Sequence, residues 1–120
     1  AKDRPDWLVN VTNDAWYGDS AGPRQHLAAV RMRAVEEGLP VARAANTGIS
    51  AAFDAHGHEL ARLGWNRQGV LAVSLGGALP VTLFGRWGRW SPILLAMMTL
   101  LPALGYWLPE IGRRVAIRRL

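Results

Sequence analysis

The residues of this chain best suited to chemistry stand together in one short loop. The loop combines an amide, a carboxylate, two aromatic rings and a glycine, namely Asn13, Asp14, Trp16, Tyr17 and Gly18. It follows an apolar, strand-like run, and the carboxyl ends of strands are common ligand positions in α/β proteins. The sequence therefore predicts that these five residues bind a substrate. Two alternatives stay open: the aromatic rings pin a helix to a sheet, or the two polar residues only cap backbone groups of the turn.

The other side chains able to do chemistry favour structural roles. His26 lies in the first turns of a predicted helix and is expected to donate a structural hydrogen bond rather than act as a general base. His56 and His58 flank a glycine in a predicted turn. Because no third ligand stands nearby, we expect solvent exposure rather than a metal site.

The composition excludes several classes of function. The chain contains no cysteine, so it supplies no disulfide, cysteine-ligated zinc site or thiol nucleophile. No cofactor is predicted. The net charge of +5 does not predict a nucleic-acid partner, because that function needs a basic patch on a folded face. Six arginines instead flank an apolar run: Arg86, Arg89, Arg113, Arg114, Arg118 and Arg119.

The elements that must position these residues follow an α/β or α+β order. A strand is predicted at Trp7–Thr12, and a helix runs from Pro23 to Glu37 and ends at Gly38. Asp54 to Gly57 forms a turn. Four further strand candidates are Val41–Asn46, Ile49–Asp54, Glu59–Leu63 and Val70–Leu75. One helix covers little of such a sheet, so we expect the other half of the core to lie upstream, in a longer protein.

The predicted helix has an apolar stripe with spacings of three and four residues. The stripe consists of Leu27, Val30 and Ala34, with Ala28, Met32 and Val35 beside it. Arg33 is spaced to form an ion pair with Glu36 or Glu37.

An uncharged run of 20 residues, Trp90–Pro109, predicts a transmembrane helix. At about 1.5 Å per residue it spans about 30 Å, the thickness of a bilayer's hydrocarbon core. Four arginines follow it and two precede it, which places the tail in the cytoplasm. The alternative is a buried helix of a soluble protein. The predicted organisation is a domain over residues 1–80, a linker over 81–89, the span over 90–109 and a basic tail over 110–120.

Four motifs carry a resemblance to a known family. They are NDAWYG at 13–18, GPRQH at 22–26, RAVE at 33–36 and RAANTGIS at 43–50. In this order they closely resemble the apolipoprotein N-acyltransferases, multi-span enzymes of the bacterial inner membrane. The resemblance implies the C-terminal part of a nitrilase-like αββα sandwich on the periplasmic side, followed by the last transmembrane helix.

The resemblance also implies a mechanism with a Glu-Lys-Cys catalytic set. The cysteine takes an acyl chain from a glycerophospholipid as a thioester and passes it to the α-amine of a lipid-modified apolipoprotein. None of the three catalytic residues matches a position in this chain, so the chain alone is expected to be inactive. The loop at 13–18 would wall the acyl pocket. Asn13 and Asp14 could also position the catalytic set through hydrogen bonds, and Arg24 is a candidate contact for phospholipid headgroups. We expect a monomer in the membrane.

Two other functions stay open at this point. A carbon–nitrogen hydrolase of the same superfamily could cleave small amides and carry a membrane anchor. A non-enzymatic anchored module is a third reading, but it requires a self-sufficient core in residues 1–89.

Overall fold

The computed structural model describes residues 4–88 and 90–117, and the side chains of 103, 104 and 107–117 lie outside that description. The chain divides into two compact units, Ala1–Arg86 and Trp87–Leu120. The elements are β1 (Leu8–Asn13), a 3₁₀ turn (Ala15–Tyr17), α1 (Gly22–Glu37), β2 (Val41–Asn46), β3 (Ser50–Phe53), β4 (Glu59–Leu63), α2 (Leu83–Trp87) and α3 (Ser91–Ile117).

The first unit is built on a four-stranded sheet in the order β1-β2-β3-β4. β1 and β2 are parallel, with Leu8 opposite Val41 and Asn13 opposite Asn46. Parallel neighbours need a crossover connection, and α1 provides it. The other two pairings are antiparallel. The loops that leave β1 and β2 therefore start side by side, at the same end of the sheet.

Helix α1 begins and ends almost where its sequence predicts. Gly38 has a left-handed φ of 63°, and the N–H of Leu39 donates to the carbonyl of Ala34 at 3.1 Å, which closes the last turn. The predicted ion pair is confirmed, with Arg33 Nη1 at 3.1 Å from Glu36 and at 3.7 Å from Glu37.

The apolar stripe of α1 packs against one face of the sheet. The predicted positions are confirmed as buried, and they join a core made of Leu27, Val30, Ala34, Val41, Ile49, Ala51 and Phe53. Met32 and Val35 are exposed, so the stripe is narrower than the sequence suggests. Ala28 is exposed as well. These side chains point away from the sheet because successive residues on a helix are 100° apart.

The opposite face of the sheet is largely bare. Val9 is 62% exposed and Val11 is 77% exposed, although both lie on a β-strand. The segment around Leu71 and Val73 lines part of this face. Among the described residues, α1 is the helix that packs on the sheet, and it covers one side only. The sequence predicts this, because it contains one amphipathic helix for the whole sheet.

The predicted strand at Val70–Leu75 is wrong. The segment from Gln68 to Leu79 has no regular secondary structure, and Val70 is almost fully exposed. The run is apolar except for Ser74, but a strand also needs a neighbouring strand that shares its hydrogen bonds, and among the described residues the sheet ends at β4. Further on, the N–H of Leu79 donates to the carbonyl of Gly38 at 2.9 Å, which ties the chain to the end of α1.

The second unit contains α3, which covers almost all of the run predicted to span a membrane. Ile93, Leu95 and Met98 on this helix are exposed. Within the part of the chain that the structure describes, no helix reaches the length and hydropathy needed to cross a membrane. Several side chains of the predicted span, at 103, 104 and 107–109, lie outside that part, as do tail residues 118–120. The short helix α2 falls within the predicted linker.

Candidate functional site

The predicted site loop leaves the carboxyl end of β1 as a single 3₁₀ turn. The Asn13 side-chain oxygen accepts the N–H of Ala15 at 3.1 Å and the side-chain N–H of Asn46 at 3.1 Å. Asn13 thus caps the turn and also ties it to the end of β2. Gly18 follows with φ 56° and ψ −159°, a backbone conformation that is essentially restricted to glycine.

The side chain of Asp14 is turned inward and fully buried. It accepts a hydrogen bond from Arg43 Nη2 at 2.6 Å, and His26 Nδ1 lies 2.8 Å from its other oxygen. Thr12 Oγ1 is 3.4 Å from that second oxygen. The alternative in which Asp14 caps the turn through its side chain is therefore wrong, because the carboxylate is engaged in an internal ion pair and makes no cap hydrogen bond.

Arg43 is the residue of this network that the sequence reasoning did not single out as functional. Its side chain is also fully buried. Besides Asp14, it donates to the carbonyl of Ile49 at 3.0 Å and to the side-chain oxygen of Asn10. A charged residue within the otherwise small, apolar strand β2 was the available signal, because a buried arginine almost always requires an acidic partner.

Gly48, in the loop after β2, lies directly against the side chain of Asp14. A Cβ atom at this position would lie 2.3 Å from Asp14 Oδ2, which is closer than any real side chain tolerates. The preceding residue, Thr47, has a φ of 60°, an unusual value for a β-branched residue. Backbone strain of this kind collects at functional sites. The loops after β1 and β2 are therefore packed directly on one another.

The two aromatic residues of the loop have different surroundings. Trp16 is 87% exposed, so it does not pin the helix to the sheet. Tyr17 is half-exposed and lies edge-on to the His26 ring at 5.7 Å, over the first turn of α1. A Cβ atom on Gly22 would clash with the Tyr17 ring, at 2.5 Å from its Cδ1. Tyr17 thus packs against the helix, whereas Trp16 projects from the protein. Substrate contact by this loop stays a prediction.

The remaining candidates keep structural roles in the described part of the chain. His26 bonds to Asp14, and the exposed His58 bonds to Asp54 at 2.9 Å. Among residues 4–88 and 90–117, no group of three metal-binding side chains comes together. The exposed Arg24 donates to the carbonyl of Ser20 at 2.7 Å. A contact between Arg24 and phospholipid headgroups also stays a prediction.

The turn between β3 and β4 predicts a measurable dependence of stability on pH. Desolvation opposes the ionisation of Asp54, but hydrogen bonds from the His58 side chain and from the backbone N–H groups of His58 and His56 outweigh it and lower the pKa. Since the folded-state pKa is the lower one, stability is gained above the unfolded value, about 3.9, and lost as the pH falls through the folded value. We expect thermal unfolding of Asp54→Asn to depend less on pH below about 4 than that of the wild type.

Asp19→Asn is the matched control for this titration. Asp19 lies on the surface, 3.7 Å from Arg24. Equal pH dependence in wild type, Asp54→Asn and Asp19→Asn would show that the turn does not stabilise the ionised carboxylate.

The sequence of this chain is similar to those of known protein families. The sequence profile named carbon-nitrogen hydrolase matches residues 1–77. A protein of Bradyrhizobium diazoefficiens named apolipoprotein N-acyltransferase is 47% identical over 116 residues, which is 97% of this chain and 20% of that protein. Proteins of the same name from Sinorhizobium medicae and Haemophilus ducreyi are 59% identical over 75 residues and 46% identical over 85 residues. These two alignments cover 62% and 71% of this chain, and 14% and 17% of those proteins. The chain spans at most about a fifth of the length of these relatives.

Proposed function

The chain belongs to the carbon–nitrogen hydrolase family, and from this premise we propose that it is the C-terminal part of an apolipoprotein N-acyltransferase. One observation carries the proposal. The similarity to a protein of that name extends over 116 residues, well past residue 77, where the hydrolase profile ends. It favours the acyltransferase over a membrane-anchored amidase.

The proposed reaction has two steps. A cysteine thiolate outside this chain attacks an ester carbonyl of a glycerophospholipid, forms a thioester and releases the lysophospholipid. The α-amine of the lipid-modified N-terminal cysteine of an apolipoprotein then attacks the thioester, forms an amide and restores the thiol. A glutamate acts as general base and a lysine stabilises the oxyanion, and both are also upstream residues in this proposal.

This chain contributes the end of the sheet at which such a site is built, namely the carboxyl ends of β1 and β2. The loops after β1 and β2 leave adjacent parallel strands at their carboxyl ends. Ligands of open α/β sheets bind at these ends. We assign the Asn13–Gly18 loop to one wall of the acyl pocket, with the exposed Trp16 ring as its apolar surface.

The bare face of the sheet supports a larger domain of the αββα type. Val9 and Val11 present apolar side chains on a face that only irregular chain partly covers. β1 is also an edge strand, and a groove of about 340 Å³ lies beside it, lined in part by Leu8, Val30 and Leu39. An unpaired edge strand is a template for pairing with another strand, and a large exposed apolar face marks a surface that binds a partner. We propose that upstream strands pair with β1 and that a second sheet packs on Val9 and Val11.

We propose that residues 90–109 cross the bacterial inner membrane, with residues 1–89 in the periplasm and the basic tail in the cytoplasm. The uncharged run of 20 residues and the exposed apolar side chains of α3 support this topology. Trp87 and Trp90 lie at the N-terminal end of the run, at the position of interfacial anchors. A membrane location also suits a monomeric enzyme whose two substrates, a phospholipid and a lipid-modified apolipoprotein, are both held in the bilayer. Extraction of the longer protein from membranes by alkaline carbonate would contradict the span.

The acyltransferase proposal is tested with the longer protein in phospholipid vesicles. The acceptor is a synthetic peptide whose N-terminal cysteine carries an S-diacylglyceryl group. We expect the peptide mass to rise by one acyl chain, and the vesicles to gain lysophospholipid in equal amount. Ammonia release from small amides, without any acylated peptide, would instead establish the amidase.

The exposed Trp16 side chain allows the pocket wall to be tested by substitution. Trp16→Ala in the longer protein should leave thermal stability close to that of the wild type, because the ring buries little surface in this chain. We expect acyl transfer to fall by about tenfold, which corresponds to about 1.4 kcal/mol of lost transition-state contact. Tyr17→Ala is the comparison that removes helix packing instead. Normal stability together with normal transfer in Trp16→Ala would disprove the pocket wall.

A further inference from the structure

The buried pair of Asp14 and Arg43 connects the two loops of the proposed site. The guanidinium of Arg43 reaches three separate segments: the side chain of Asn10 in β1, the carboxylate of Asp14 after β1, and the carbonyl of Ile49 after β2. All three contacts come from one planar group, and a guanidinium presents its N–H donors in a rigid fork. One side chain therefore bonds to both loops, in addition to the bonds that Asn13 and the Asp14 backbone make to Asn46.

Stability alone does not account for such a pair. Both charges lose their water, and replacing a buried ion pair by well-packed apolar side chains is often neutral or stabilising. The same side of the sheet already holds an apolar core around Val41 and Phe53. An apolar replacement would lose the defined orientation of the connected loops, because hydrogen bonds specify the orientation of their partners and apolar contacts do not.

Further contacts of Asp14 hold the rest of the loop at residues 13–18. Its backbone N–H donates to the carbonyl of Asn46 at 3.0 Å, and its own carbonyl accepts the N–H of Tyr17 at 3.1 Å. Its carboxylate also bonds to His26 in the first turns of α1. The missing side chain of Gly48 leaves the space that the carboxylate occupies.

We propose that Arg43 and Asp14 are positioning residues of the acyl transfer. They do not touch the substrate, since both side chains are fully buried. They hold the loop at 13–18 against the loop at 46–48, so that the pocket wall has one fixed geometry before substrate binds. This inference rests on the proposed acyltransferase function.

The test uses the longer protein with Arg43→Met, which removes the guanidinium but keeps an unbranched side chain that resembles its aliphatic part. We expect kcat for acyl transfer to fall by about 100-fold at unchanged KM, because a displacement of about 1 Å in a reacting geometry costs about that much. Formation of the thioester in a single turnover should slow equally. Hydrogen exchange of the peptide covering residues 13–22 should become faster, since the Tyr17 N–H loses its fixed acceptor.

Two further variants perturb the same pair in milder ways. Arg43→Lys keeps the charge but replaces the fork by a single ammonium group, and we expect an intermediate loss of about tenfold. Gly48→Ala keeps both charges and pushes a methyl group against Asp14 Oδ2. It should lower kcat and speed loop exchange in the same direction as Arg43→Met.

Matched controls separate positioning from loss of folding. Arg62→Met makes the same chemical change in a surface pair with Glu59, at 3.6 Å, and should leave transfer and loop exchange unchanged. Val30→Ala destabilises the core beneath α1 without touching the pair. Turnover per folded molecule should stay near that of the wild type in Val30→Ala and fall in Arg43→Met.

The outcomes distinguish the inference from the function on which it rests. If the wild-type longer protein transfers no acyl chain, the proposed function fails. If the wild type is active and Arg43→Lys and Gly48→Ala both keep wild-type kcat and loop exchange, only the positioning role is overturned. A loss in Arg43→Met that Val30→Ala reproduces at equal thermal stability overturns it as well, because lost folding would then explain the effect.

Discussion

Replacing Asp14 by alanine should destabilise the fold by about 3–5 kcal/mol, because it leaves the charge of Arg43 buried without a partner. Both side chains are fully buried, and Arg43 Nη2 lies 2.6 Å from the carboxylate. The remaining acceptors of Arg43, the Ile49 carbonyl and the Asn10 side chain, are neutral and do not replace the lost charge. The free energy of unfolding of the longer protein, from denaturant titration, measures this loss.

Asp19→Ala provides the matched control for that measurement. Asp19 also faces an arginine, but the pair with Arg24 is exposed and its atoms are 3.7 Å apart. An exposed pair contributes about 0–1 kcal/mol, so this variant should unfold at nearly the wild-type denaturant concentration. The double variant Asp14→Ala/Arg43→Met should recover part of the loss, because it removes both buried charges. If Asp14→Ala and Asp19→Ala lowered the free energy of unfolding by equally small amounts, Asp14 and Arg43 would not be buried together.

The 120-residue chain alone should show no acyl transfer at all. The proposed mechanism passes the acyl group through a cysteine thioester, and this chain contains no cysteine. The loops that it contributes can position a substrate, but they supply no nucleophile. We expect no lysophospholipid and no acylated peptide when the purified chain is incubated with vesicles and the diacylglyceryl peptide. The longer protein, assayed in parallel, should produce both.

The control for this experiment is the longer protein with its nucleophilic cysteine changed to serine. It keeps the complete fold and should be as inactive as the short chain, which would assign the loss to the missing thiol. Measurable turnover by the short chain would contradict both the covalent mechanism and the family assignment of its chemistry.

Local chemistry explains why much of this fold is predictable from the residues. The stripe of Leu27, Val30 and Ala34 repeats at helical spacing, and Gly38 has the left-handed conformation that ends such a helix. The turn at Asp54 to Gly57 likewise needs a positive φ, and Gly57 has a φ of 80°. Each of these features depends on residues within one or two turns of chain, so each is confirmed close to its predicted bounds.

Features that depend on distant partners differ from what the local sequence predicts. The run Val70–Leu75 is apolar except for Ser74, as in many strands, but no described strand pairs with it. Asp14 follows a strand at a typical turn position, which is why capping is an alternative that its neighbours in the sequence suggest. Its actual partner, Arg43, is 29 residues away along the chain.

The residue types and motifs alone indicated the family, the loop at 13–18 and the order of strand, helix and strands, because these depend on neighbouring residues. Packing decided how that loop is held. The parallel pairing of β1 with β2 places Asn10 opposite Arg43, and the crossover through α1 brings His26 to the same point. A register shift of one residue would turn Arg43 to the opposite face of the sheet, so the buried pair exists only through the tertiary pairing.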